Sequence, residues 1–172
     1  MRLQAIARVV AGAGAMAVLG ASGWVAAQSG TNTVLKPADT EKLLPASVYY
    51  SGQSAPTQKR NSGGVKFTDG HYMLATLVDT SGYSTGIAAK YQGYLIAEVP
   101  LKIGGKTLAA GAYGFGFVGD KLFVTDLGAN DVFTAKSTTD EAMKRPRPLE
   151  VVVDDAGGYR LYVGRTYVKF DR

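Results

Sequence analysis

From Val65 to Phe170 the chain is a succession of short apolar runs cut by glycine-bearing turns. Asp69-Gly70, Gly104-Gly105, Gly119-Asp120, Asp155-Ala156-Gly157-Gly158 and Gly164-Arg165 fall between them. Glycine reaches the positive φ of a tight turn, and aspartate bonds its own backbone there. Turn signals at a spacing of about 8–12 residues specify hairpins and leave little room for helices. The expected fold is therefore all-β: a single antiparallel β-sandwich or closed barrel of about nine to ten short strands, with one or two short helices.

The expected runs are Ser47 to Tyr50, Val65 to Thr68, Tyr72 to Val78 and a long, bent Ala88 to Ile103. They continue with Thr107 to Ala110, Tyr113 to Val118, Lys121 to Asp126 and Val132 to Ala135. Leu149 to Val153, Tyr159 to Val163 and Thr166 to Phe170 complete them. Gln53 to Gly64, polar and ending on a glycine pair, reads as a loop, and so does Asp79 to Gly86. Pro37 to Leu44 reads as a helix, with Pro37 in its first turn and Pro45 as its stop. Ser137 to Arg145 reads as another, because Thr138 and Glu141 match a capping box and Pro146 follows.

Residues 1–27 have the layout of a secretory signal peptide. Arg2 and Arg8 precede an uncharged stretch, and Val25 and Ala27 suit the small positions of a cleavage site after Ala27. The expected organisation is a signal peptide over 1–27, a leader with a short helix over 28–46, and one β domain over 47–172. Within that leader, Gln28 to Val34 reads as flexible. Cleavage would leave 145 residues with 17 Lys and Arg against 14 Asp and Glu. No stable membrane span would remain, and the product would be periplasmic or extracellular. An eight-stranded outer-membrane barrel would fit the length, but spanning strands need about 9–11 residues and most runs here are shorter.

The chain has no cysteine and one histidine. That excludes disulfides, a thiolate nucleophile and a lipoprotein anchor, and any multi-histidine metal site would need a second chain. An exported domain without disulfides must be held by packing alone, which points to a bacterial envelope protein. Asp120, Asp126, Asp131 and the Asp154-Asp155 pair sit at turns, where aspartate serves turn geometry. None matches a calcium loop, so no metal and no cofactor is expected.

Tyr113, Phe115 and Phe117 alternate with Gly114 and Gly116. In a strand, one face would then be aromatic and the other bare backbone. The bare face could be a slot for a planar ligand, with Tyr91, Tyr94, Tyr113, Gly114 and Gly116 as candidate ligand-binding residues. Alternatively the aromatics are core and the glycines lie under a neighbouring ring. The order Gly105, Lys106, Leu108, Ala110, Gly111, Tyr113 resembles the Gly-Lys-x-Leu-x-Ala-Gly-x-Tyr strand motif of a family of secreted bacterial β-sandwich proteins of unknown function. The resemblance spans about fifteen residues. It implies a sandwich in the periplasm or outside, and no catalytic residues.

A catalytic reading rests on His71, oriented as a base by Asp69 or Asp79. An exposed histidine after a turn explains the same residues, and no nucleophile elbow accompanies it. Lys144, Arg145 and Arg147 could meet an anionic surface. The small net charge excludes a dedicated nucleic-acid binder. The expected function is a non-enzymatic binding module for a small molecule or a cell-surface component. The alternatives are a self-associating surface protein, with homo-oligomers, and an enzyme using His71.

Overall fold

A computed structural model describes residues 30–172. The expected signal peptide over 1–27 and the expected cleavage after Ala27 lie outside the described residues. Two antiparallel sheets face each other without closing into a barrel, so the fold is an all-β sandwich with two short helices. The barrel alternatives are thereby overturned.

The first sheet runs β1 (Thr33–Leu35), β3 (Gln53–Lys66), β4 (Tyr72–Val78), β5 (Gly93–Ala97), β8 (Gly111–Val118), β9 (Lys121–Thr125), β10 (Asp131–Lys136). β2 (Ser47–Tyr50) pairs with the start of β3. The second sheet runs β12 (Arg147–Val153), β13 (Tyr159–Gly164), β14 (Thr166–Asp171), β6 (Leu101–Ile103), β7 (Lys106–Leu108), with β11 (Thr138–Thr139) beside β14. Among the described residues the strands number fourteen rather than nine or ten, because several two- or three-residue pieces pair at the sheet margins.

The core forms between the sheets as strand alternation dictates. Val65, Met73, Leu95, Phe115 and Val124 from the first sheet meet Leu149, Val151, Leu161, Val168 and Phe170 from the second. Burying each such side chain contributes about 1.5–3 kcal/mol. With no cysteine in the chain, this packing is the main cohesive term.

Five local expectations fail for physical reasons. Gln53 to Gly64 is not a loop but most of β3. Gly63 and Gly64 are extended there, and the sheet needs them small: a Cβ on Gly64 would lie 2.3 Å from the Met73 carbonyl oxygen. The charged Lys59-Arg60-Asn61 stretch falls in a bulge between Gln58 and Ser62. Ser137 to Arg145 is not a helix. Thr138 and Thr139 pair with Tyr167 and Thr166 as β11, and the Asp140 carboxylate accepts the Ala142 N–H and the Tyr162 hydroxyl. The long run from Ala88 begins with the end of helix α2 (Thr85–Lys90), and strand structure resumes only at Gly93. Thr33 and Val34 do not belong to a flexible leader; they pair with Lys66 and Val65 in β1. Helix α1 (Pro37–Thr40) is also shorter than expected. Its buried Thr40 hydroxyl is 2.7 Å from the Ser62 hydroxyl, which holds the helix on β3.

Candidate functional site

The aromatic–glycine alternation of β8 places two different packings on its two faces. Tyr113, Phe115 and Phe117 turn toward the sandwich core, and the Tyr113 phenol donates to the Ala109 carbonyl at 3.1 Å. Gly114 and Gly116 face outward, but the face is covered. A Cβ on Gly114 would lie 2.5 Å from the Tyr50 ring and 2.9 Å from the Tyr91 ring. One on Gly116 would lie 2.7 Å from the Lys90 carbonyl in α2. The glycines therefore accommodate the chain's own rings and helix, as the second of the two readings had it, and leave no open slot there.

Tyr50 and Tyr91 stack with ring centroids 3.6 Å apart, and Tyr83 meets both edge-on. Tyr94 belongs to the same cluster, so Tyr91 and Tyr94 lie on the opposite face of the sheet from Tyr113. The Tyr50 hydroxyl is 2.6 Å from the Thr125 hydroxyl, and the Tyr83 hydroxyl donates to the Tyr50 carbonyl at 3.0 Å. The Tyr91 hydroxyl is buried without a hydrogen-bond partner. Burial, reinforced by the neighbouring phenols, pushes its ionisation far into the alkaline range.

His71 is exposed, with Nδ1 3.2 Å from Asp69 Oδ2. The same carboxylate takes the Arg172 guanidinium at 2.5 Å. Arg172 is the main cause that holds the Asp69 carboxyl down at about 2, with the His71 backbone N–H adding to it. An orienting carboxylate already committed to a guanidinium is a poor partner for a catalytic base. Asp79 lies at the far end of β4, about 20 Å along the strand, where it accepts the Ser81 N–H. The structure thus brings Asp69 to His71 but leaves Asp79 apart.

Lys144 and Arg145 are exposed in the turn after β11, which Arg165 ties down by donating to the Met143 carbonyl. Arg147 instead opens β12 and pairs with Glu150 at 3.4 Å. The three cations therefore do not share one helix end. Among the described residues no group of three metal-ligating side chains occurs, and no helix is long and apolar enough to cross a membrane.

A groove missed in the sequence lies where β1 and α1 meet β12. It has a volume of about 230 Å³. Leu35, Pro37, Leu149, Val151 and Val153 contribute to its walls, with Lys36, Arg147 and Glu150 also lining it. The sequence carries little sign of it, because its two sides are more than a hundred residues apart and the segment expected to be flexible, Gln28 to Val34, includes Thr33 and Val34 of β1. Comparisons with protein-family models, with curated proteins and with solved structures found no match to this chain.

Proposed function

We propose that the protein is an exported, non-enzymatic binding module of the bacterial envelope or exterior, and that the groove between β1 and β12 is its ligand site. The single observation that carries this is the groove's composition. Apolar walls from the margins of both sheets bury an apolar body, and a few charged groups can orient a polar end, as in small-molecule sites generally. At about 230 Å³ the groove suits a small amphiphile or part of a longer one. The signal-peptide layout of residues 1–27 supports export, and the resemblance of the Gly105 to Tyr113 motif to secreted sandwich proteins supports the same setting.

The test uses the anionic apolar dye anilinonaphthalene sulfonate and native mass spectrometry of protein recovered from its own export route. A retained small molecule, displaced by the dye, is expected. Val153, which is 64% exposed in the groove wall, is replaced by arginine to block the groove without disturbing the core. Dye binding that survives Val153→Arg unchanged, or a protein that carries no ligand and binds no dye, would overturn the assignment.

A further inference from the structure

We propose that a second cleft, between β14, β11 and the β6–β7 turn, binds an oxyanion, either a phosphate or a carboxylate group. The cleft has a volume of about 300 Å³. Gly104, Gly105, Lys136, Thr138, Tyr167 and Lys169 line it, and no carboxylate does.

The charge distribution favours an anion on this side of the molecule. Residues 101–108 and 137–172, which carry the second sheet and its turns, hold nine Lys and Arg against six Asp and Glu. The rest of residues 30–172 holds eight against eight. All of the net positive charge of the described chain thus belongs to the second sheet. A concave surface lined by one sign of charge concentrates ligands of the opposite sign.

Two directly opposed cation pairs flank the cleft. Arg160 faces Lys169 across β13 and β14, and Lys121 faces Lys136 across β9 and β10. Like charges in such positions repel. The first pair has its counterion: Asp154, with a side chain only 1% exposed, binds Arg160 through Oδ1 and Lys169 through Oδ2 at 2.6 Å. One carboxylate between two cations still leaves a surplus positive charge, held in a fixed place. The second pair has none, since neither Lys121 nor Lys136 makes an ion pair among the described residues. An oxyanion in the cleft would do for Lys136 what Asp154 does for Lys169. The cleft also has hydroxyl donors in rigid positions. Thr138 is paired with Tyr167, and the Tyr167 ring is held by Tyr162 at 4.8 Å and by the Arg160 guanidinium at 5.0 Å. Charge-assisted bonds from ammonium and hydroxyl groups are the strong ones for an oxyanion.

This site shares no residue with the apolar groove, so the two assignments stand or fall separately. Isotope-labelled full-length mature protein is titrated at low ionic strength with inorganic phosphate, and amide shifts are followed. Saturable shifts at Gly104, Gly105, Lys136, Thr138 and Lys169 are expected. Lys136→Gln removes an exposed, unpaired cation and should weaken binding about tenfold. The double variant Lys144→Gln, Arg145→Gln removes more charge, from the turn after β11 outside the cleft, and should leave binding as it was. Titrations with a sugar phosphate and with galacturonate then show which oxyanion the cleft prefers. Shifts that never saturate, equal weakening in both variants, or unchanged binding in Lys136→Gln would overturn the proposal.

Discussion

The Arg172 guanidinium lies 2.5 Å from Asp69 Oδ2 and its carbon 5.4 Å from the centre of the Phe67 ring. It ties the end of β14, in the second sheet, to the β3–β4 turn of the first. The same bond takes up the carboxylate that a His71-based mechanism would need. The clasp therefore bears on both stability and function.

Its pH signature follows from the depressed Asp69 carboxyl. A group at about 2 in the folded protein and 3.8 when unfolded adds stability that is fully present above the unfolded value. That stability is lost as the pH falls from about 4 toward 2. Asp79, Asp126 and Asp154 are also depressed, so the native protein will lose stability in acid for several reasons. The difference between native protein and Asp69→Asn isolates the clasp. Urea midpoints should separate at pH 5 and converge by pH 2, with Arg172→Ala behaving like Asp69→Asn.

Asp154 should matter more than Asp69, because it is buried under the two cations it joins. Its carboxyl is held below the usual range by the Lys169 ammonium, against the effect of burial and with Arg160 helping. Asp154→Asn should lower the melting temperature more than Asp69→Asn does. A double-mutant cycle with Lys169→Gln should be strongly non-additive, because each change disables the same contact.

Two glycines offer an opposed pair of tests. Gly114→Ala would drive a methyl group into the Tyr50 ring, the Thr125 hydroxyl and the Tyr91 ring, and should cost about 1–3 kcal/mol. Gly86 sits in α2 with open space around its missing Cβ and without a positive φ. Gly86→Ala should stabilise by about 0.5–1 kcal/mol. Denaturant melts of the two variants beside the native protein decide both.

The tyrosine stack gives another contrast. Tyr91→Phe removes a buried hydroxyl with no partner and should be neutral or stabilising. Tyr50→Phe removes the bond to Thr125 and should cost about 1 kcal/mol. Equal losses from the two substitutions would contradict the arrangement of the cluster.

What the sequence revealed of the fold was whatever lay in local alternation. Tyr113, Phe115 and Phe117 on one face of β8, and the two-residue turns at Gly104-Gly105 and Gly119-Asp120, follow from period and turn chemistry. β3 was hidden because Gly63-Gly64, an ordinary turn signal, serves there to let the sheets approach: Val151 would sit 3.3 Å from a Cβ on Gly63. The false helix at Ser137 to Arg145 shows the converse. Thr138 and Glu141 suit a cap locally, but β14 offers Thr138 and Thr139 a ladder and Tyr162 takes Asp140. The site was less legible still. Asp154 looked like a turn residue, and its partners on β13 and β14 became visible only with the strand register. The apolar groove depends on β1, which local pattern did not supply.

The bare backbone of Gly114 and Gly116 also sets a thickness. With no side chains on that face, the Tyr50–Tyr91 stack and the end of α2 come down onto the strand itself. β8 is thus the middle of three layers at this point, shielded from water on both sides. Its amide protons, and those of β5 beside it, are placed to exchange with solvent more slowly than those of any marginal strand.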